Sequence, residues 1–218
     1  METNRRLLKA FLLATLGIAL LEILFSRAGG RLRAPSLLLT GFARAAEACW
    51  IFTSLFLLGL GRGEIFLPEG GLCRGLRRGL LWSAVFGALS LAAFAALWWG
   101  GRDPLRLFGI GRPPSAPPWL YLAVGCGVGP LVEEIYFRGL LYRVVRPQGR
   151  ILAVGGTTIL FALLHAGAGG FPVVPLIGGL IFATAVEVEK NLLVPITIHV
   201  LGNTALFALP HLASKFQL

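Results

Sequence analysis

The chain has 218 residues, of which 56% are hydrophobic and only 14% are charged, and its mean hydropathy is +0.78. Because about a quarter of the residues of a soluble domain are charged, this composition excludes a soluble globular protein, a disordered chain and a disulfide-rich scaffold, and it predicts an integral membrane protein. The formal net charge of +10 comes from short basic clusters between apolar runs, which are typical of membrane-protein loops near lipid headgroups, so we expect no nucleic-acid partner.

Seven apolar segments are predicted to cross the membrane. A spanning helix needs about 20 mostly apolar residues because the hydrocarbon core of a bilayer is about 30 Å thick. The segments are 7–25, 45–60, 80–99, 119–141, 151–165, 173–186 and 192–209. They predict an all-α polytopic transmembrane helix bundle of about seven spans, with eight spans as the alternative. The distribution of positive charges between the two faces slightly favours a cytoplasmic N-terminus.

The choice of arginine over lysine also indicates the type of organism that encodes the chain. Arginine far outnumbers lysine, which occurs only at Lys9, Lys190 and Lys215. Together with the abundance of alanine, glycine and leucine, this preference is typical of a GC-rich bacterial genome. We therefore predict an integral protein of the bacterial cytoplasmic (inner) membrane.

The chain divides into two regions of different polarity. Residues 1–101 contain N-terminal transmembrane helices without a motif, residues 102–118 form a Pro-rich loop, and residues 119–218 form a core that carries polar residues within apolar runs. Breaks in this core are expected at Gly167 to Gly170, Pro172, Pro175 and Pro195. Within a bilayer such breaks are tolerated only where protein or water satisfies the freed backbone groups, so we expect this core to enclose an intramembrane cavity that holds water.

The first polar cluster of the core is Glu133-Glu134-x-x-x-Arg138. On a helix Glu134 and Arg138 are four residues apart and can form a pair, whereas Glu133 is turned by about 100° from Glu134. The pair alone is also typical of a salt bridge that only fixes helix packing. Glu133 has no local cation, and a carboxylate in an apolar environment is suited to act as a general base near neutral pH.

Two further clusters follow on separate apolar segments. Phe161-x-x-x-His165 ends the fifth segment, and His199-x-x-x-Asn203 lies in the seventh. A lone histidine such as His165 is more often a core residue than a catalyst, and His199 with Asn203 could simply join helices by hydrogen bonds. An imidazole and a carboxamide on one helix face can also donate to the same developing oxyanion.

Together the clusters supply the parts for water activation and oxyanion stabilisation. Glu133, His165 and His199 could alternatively bind Zn²⁺ in a catalytic site with an open position, but no HExxH motif is present. A Ser-His-Asp triad is poorly supported because no GxSxG motif lies near the clusters. The residues therefore favour hydrolysis without a metal, and zinc is the minor alternative.

Four other acids lie in or beside apolar segments without any motif. They are Glu22, Glu47, Glu187 and Glu189. We interpret them as interfacial or pairing residues, because Arg44 lies three residues before Glu47 and Lys190 follows Glu189.

The three clusters, in this order and each on an apolar segment, resemble the motifs of the CPBP family of intramembrane proteases, which includes CaaX proteases and bacteriocin-processing (Abi) enzymes. The run EEIYFRGLLY resembles the first family motif, and Pro195-Ile-Thr-Ile before His199 resembles the approach to the third. The resemblance covers about residues 119–209. The family core usually has about eight helices, one more than the seven segments found here.

The resemblance implies a glutamic-type intramembrane endopeptidase. Glu133 resembles the carboxylate that activates the attacking water, and His165 resembles its partner in holding that water. His199 and Asn203 resemble the groups that stabilise the oxyanion, while Glu134 and Arg138 resemble the structural pair. No cofactor is implied.

The substrate implied by the resemblance is a membrane-associated protein or peptide in the lipid bilayer. Prenylated C-termini, bacteriocin leaders and C-terminal sorting tails all fit the family, and the residues do not select one of them. A non-catalytic membrane protein, such as an immunity or maturation factor or a small transporter, is the alternative. Glu133→Gln separates the two readings, because only a protease would lose its function.

Overall fold

The protein is described by a computed structural model, which covers residues 2–29, 36–67, 71–111, 117–166 and 171–216. The described residues form helices and turns and contain no strand, so the predicted all-α fold is confirmed. The predicted break at Gly167 to Gly170 lies outside the described residues, as does part of the predicted Pro-rich loop, 112–116.

The described chain contains eight helices. They are α1 (Glu2–Gly29), α2 (Ser36–Leu57), α3 (Leu72–Trp99), α4 (Pro104–Leu107), α5 (Pro118–Gln148), α6 (Arg150–Leu164), α7 (Val173–Glu189) and α8 (Leu193–Phe216). Each of the seven apolar segments lies on one of the longer helices. A 3₁₀ turn, Arg62–Ile65, lies between α2 and α3.

Two local expectations from the sequence were wrong. The predicted loop contains α4, because the Asp103 side chain accepts hydrogen bonds from the backbone N–H groups of Leu105 and Arg106 and Pro104 fits the first helical position. Pro175 and Pro195 do not break α7 and α8, since each lies in the first turn of its helix, where a missing N–H costs no hydrogen bond.

Within the described ranges, four helices are long and apolar enough to cross a membrane. They are Glu2–Gly29, Leu72–Trp99, Pro118–Gln148 and Leu193–Pro210, whereas Arg150–Leu164 is apolar but shorter. These helices support an integral membrane protein, and the number of spans stays a prediction. With 15 residues and a rise of 1.5 Å per residue, α6 is about 22 Å long.

Glycines allow a close contact between α3 and the chain at and before α8. A Cβ atom on Gly75 would lie 2.7 Å from the Asn191 amide, and one on Gly79 would lie 2.6 Å from Thr197 Cβ. This Gly-x-x-x-Gly spacing presents both glycines on one face of α3, a common device for close approach of membrane helices. The contact joins α3 to α8, which carries His199 and Asn203.

Helix α5 lies at the centre of the bundle, because it contributes to both main apolar clusters. One cluster joins α5 to α1, α2 and α8 through residues such as Leu7, Ile51, Val132 and Ile196. The other joins α5 to α6, α7 and α8 through Phe137, Phe161, Phe182 and Ile198. The polar residues of α5 are therefore surrounded by four or more helices.

Helix α5 is irregular on both sides of its two carboxylates. The α-helical segment Gly129–Glu134 lies between two π-helical segments, Leu122–Val128 and Ile135–Leu141. Pro130 contributes to this irregularity, because proline lacks an N–H and its ring crowds the preceding turn. Wider π turns inside α-helices are rare and occur frequently at functional sites.

Candidate active site

Three helices bring Glu133, His165 and His199 together. The Nε2 atom of His165 lies 3.6 Å from Glu133 Oε2, and the Nε2 atom of His199 lies 3.8 Å from the same oxygen. Glu133 belongs to α5, His165 caps the C-terminus of α6, and His199 lies in α8. Both imidazoles thus face one carboxylate oxygen.

The three side chains differ in their access to the outside of the protein. The exposed fraction is 35% for His165 and 23% for Glu133, but only 6% for His199. Glu133 and His165 are therefore open to the outside of the protein, while His199 forms the inner wall of the site.

The hydrogen-bond partner of His165 Nδ1 shows which ring nitrogen carries the proton. Nδ1 lies 2.8 Å from the backbone carbonyl oxygen of Phe161. A carbonyl oxygen can only accept, so Nδ1 carries the hydrogen and donates it. In the neutral imidazole, Nε2 is then an acceptor that faces Glu133, and a water between them can donate to both groups.

Glu134 and Arg138 form the buried pair that the spacing predicts. Arg138 Nη1 donates to Glu134 Oε1 over 2.8 Å, and neither side chain is exposed. Arg138 Nη2 also donates to the Gly179 carbonyl oxygen over 3.2 Å. The guanidinium carbon lies 4.5 Å from the centre of the Phe161 ring and 5.2 Å from that of Phe182, so aromatic faces further stabilise the buried cation.

Glu134 also orients His199. The imidazole Nδ1 lies 2.9 Å from Glu134 Oε1, the same oxygen that accepts from Arg138. The ring stacks on Phe182 with a centroid distance of 4.5 Å and an interplanar angle of 23°. Because Nδ1–H donates to Glu134, Nε2 is the atom directed at Glu133, and Glu134 acts as a positioning residue.

Asn203 lies one helical turn after His199 but contacts a different part of α5. Its Nδ2 atom donates to the backbone carbonyl oxygen of Gly125 over 2.9 Å. Gly125 lies in the first π-helical segment, about two turns before Glu133. One amide hydrogen of Asn203 therefore ties α8 to α5, and the carboxamide has a second hydrogen to donate.

One family model matches this part of the chain. It is described as type II CAAX prenyl endopeptidase Rce1-like, and it matches residues 114–205, which include all three polar clusters. The predicted family resemblance is confirmed. The match to this Rce1-like region supports an intramembrane peptide hydrolase. Among the curated proteins and the solved structures, none matches the chain.

Two residues of the Rce1-like region have structural roles that the motifs do not reveal. Phe182 stacks on His199, and Gly179 provides the carbonyl oxygen for Arg138. A Cβ atom on Gly179 would lie 3.2 Å from the Phe161 ring and 3.5 Å from Arg138 Nη2, so a small residue is needed there. The pair Gly178-Gly179 within an apolar run is the only sequence signal for this contact.

The four acids without a motif form ion pairs, as we interpreted them. The pairs are Glu22–Arg44, Glu47–Arg44, Glu187–Lys190 and Glu189–Arg78. Glu187 also accepts from Arg146 over 2.8 Å, which joins the C-terminal ends of α5 and α7.

The geometry does not single out a metal centre. Among the described residues, no group of three or more His, Cys, Asp or Glu side chains is arranged to hold a metal ion.

Proposed function

We propose that the chain is an intramembrane glutamic endopeptidase in which Glu133 activates the attacking water. The observation that supports this most is the convergence of His165 Nε2 and His199 Nε2 on Glu133 Oε2, at 3.6 and 3.8 Å. Each imidazole has its Nδ1 engaged elsewhere, so each presents its Nε2 atom to the same small volume beside the carboxylate.

In the first step a water molecule is bound by the carboxylate of Glu133 and by His165 Nε2. Glu133 accepts a proton from this water while the water oxygen attacks the carbonyl carbon of the scissile peptide bond. The carbonyl π electrons move to its oxygen, which becomes an oxyanion. When the tetrahedral intermediate collapses, the C–N bond breaks and Glu133 returns the proton to the leaving amine.

The oxyanion is stabilised by His199 and Asn203. Since His199 Nδ1–H donates to Glu134, Nε2 can donate only when the ring carries two protons. The proposal therefore requires a proton on both ring nitrogens of His199 in the reacting state. The second amide hydrogen of Asn203 supplies the other donor. Removing one such donor typically lowers kcat by about 10²–10³.

The proposed substrate is a membrane-associated polypeptide. The matched family is described as a CAAX prenyl endopeptidase, so a peptide with a prenylated C-terminal Cys-a-a-X sequence is the first class to test. Bacteriocin leaders and C-terminal sorting tails are the next classes. Cleavage is proposed to occur in the bacterial cytoplasmic membrane without a cofactor.

The test is the Glu133→Gln variant of the full chain, reconstituted in vesicles with a fluorogenic prenylated peptide. We expect kcat to fall by about 10²–10⁴, the usual contribution of general acid–base catalysis, with an unchanged melting temperature. Glu64→Gln, the same change at a half-buried carboxylate outside the three polar clusters, is the matched control. Retained cleavage in Glu133→Gln would exclude the mechanism.

Two control measurements separate the alternatives. A zinc-dependent variant of the protease predicts bound zinc in the active protein and loss of activity with a chelator, whereas the glutamic mechanism predicts no effect. A non-catalytic immunity factor, maturation factor or transporter predicts no cleavage by the wild type and a cellular function that survives Glu133→Gln.

A further inference from the structure

Three arginines form a cationic groove at the beginning of α3. Arg74, Arg77 and Arg78 are three and four residues apart, so their side chains lie on one face of the helix. Together with Leu81 they line a groove of about 530 Å³. The reaction proposed above uses none of these residues.

The position of the groove along α3 places it at the level of lipid headgroups. Trp98 and Trp99 at the other end of the helix are 45% and 89% exposed, and tryptophans of this kind anchor helices at the membrane interface. From Arg78 to Trp98 the helix rises about 30 Å, which equals the thickness of the hydrocarbon core. With the tryptophans at one interface, the arginines therefore lie at the other.

One of the three guanidinium groups is held in place by the protein. Arg78 donates to Glu189 from Nε over 3.0 Å and from Nη2 over 2.7 Å, and Trp82 Nε1 donates to the same carboxylate over 3.0 Å. This contact attaches the Arg78 side of the groove to the C-terminal end of α7. Among the described residues, three arginines and one leucine line the groove. Glu189 balances one of the three guanidinium charges, so the groove keeps an excess of positive charge.

The surface next to the arginines is apolar. Leu76, Leu80 and Leu81 are 51%, 49% and 50% exposed, and the apolar window of α3 that follows contains no buried residue. A ligand of this surface needs an anionic head that accepts hydrogen bonds from guanidinium groups and an apolar body that covers leucine side chains. Inorganic phosphate and nucleic acids lack the second part.

We propose that this groove binds an anionic phospholipid, with its phosphate between Arg74 and Arg77 and its acyl chains along Leu81. This site is independent of the proposed peptidase reaction, so it stands whether or not the chain cleaves a peptide.

The test measures lipid retention by the full purified chain with native mass spectrometry. The protein is exchanged into mixed micelles that contain equal amounts of phosphatidylglycerol and phosphatidylcholine. We expect wild type to retain phosphatidylglycerol preferentially and Arg74→Gln/Arg77→Gln to lose this preference about thirty-fold. That factor corresponds to about 2 kcal/mol, at about 1 kcal/mol for each basic residue near the headgroups. Arg78 is left intact in this variant so that its ion pair with Glu189 persists.

The matched control is Arg102→Gln/Arg106→Gln, which removes two exposed arginines beyond the other end of α3 and should retain the preference. Arg74→Lys/Arg77→Lys keeps the charge but not the planar donor pair, and it should retain an intermediate preference. The proposal is overturned if wild type shows no preference, if both glutamine variants lose it equally, or if 10 mM inorganic phosphate displaces the lipid.

Discussion

Glu133 and Glu134 are neighbours in the sequence but lie in opposite environments. Glu133 is partly exposed and faces two imidazole Nε2 atoms, whereas Glu134 is fully buried and accepts from Arg138 and His199. Since one residue corresponds to a turn of about 100° around the helix axis, the two carboxylates point to different neighbours. The same chemical change should therefore have different effects at the two positions.

Glu134→Gln is expected to lower both stability and activity. The variant leaves the Arg138 guanidinium buried without a counter-ion, and removing one partner of a buried pair typically costs about 3–5 kcal/mol. A melting curve in detergent measures the loss, with Glu133→Gln as the comparison that should melt like wild type. Equal melting temperatures for the two variants would contradict the structural role of Glu134.

Asn203→Ala is expected to lower kcat by about 10²–10³, because it removes a proposed oxyanion donor, with a much smaller effect on KM. The lost hydrogen bond to Gly125 should reduce stability by only about 1 kcal/mol. Thr204→Ala, which removes a hydroxyl that donates to the Val200 carbonyl oxygen, is the control and should retain kcat. An unchanged kcat in Asn203→Ala would mean that Asn203 only ties α8 to α5.

At the residue scale, contacts within one helix were predictable and contacts between helices were not. The pairing of Glu134 with Arg138 follows from their spacing, because the fourth residue along a helix returns to the same face. The stacking of Phe182 on His199 and the bond from Asn203 to Gly125 depend on how α7 and α8 pack against their neighbours. The spacing of residues along one helix does not predict how that helix packs against another.

At the element scale, the contact between α3 and α8 depends on two glycines. Gly79→Ala is expected to destabilise the protein by about 1–3 kcal/mol, the usual cost of overpacking, because the added methyl group would lie 2.6 Å from Thr197 Cβ. Gly87 lies on the same helix with nothing within 4 Å of an added Cβ atom, so Gly87→Ala is the matched control. The difference between their melting temperatures measures the contact, and equal values would argue against it.

Hydropathy located the helix centres better than their ends. Helix α3 begins at Leu72, eight residues before the predicted segment 80–99. The prediction missed these residues because the first two turns of the helix contain arginines and glycines, which have low hydropathy. The π-helical segments of α5 were not predictable, since periodicity in apolar residues is too coarse to register one extra residue per turn.

At the scale of the whole molecule, the number of crossings determines where the chain ends lie. Seven spans with a cytoplasmic N-terminus put Leu67 in the cytoplasm and both Gly111 and the C-terminus outside it. A fluorescent protein fused after Leu67 should therefore be fluorescent. Alkaline phosphatase fused after Gly111 or at the C-terminus should be active. An inactive C-terminal phosphatase fusion together with an active one after Gly111 would indicate eight spans.

The shortness of α6 has a consequence for how a polypeptide could be cut. The helix begins at the exposed Arg150, and an arginine at a helix end favours the depth of the lipid phosphate groups. From there the helix rises only about 22 Å before it ends at His165. The histidine therefore lies well below the opposite surface, in a layer where amide groups have few solvent partners. For the proposed peptidase reaction, a substrate segment must unwind at this depth to expose one carbonyl group, so we expect segments that resist helix formation around the scissile bond to be cut fastest.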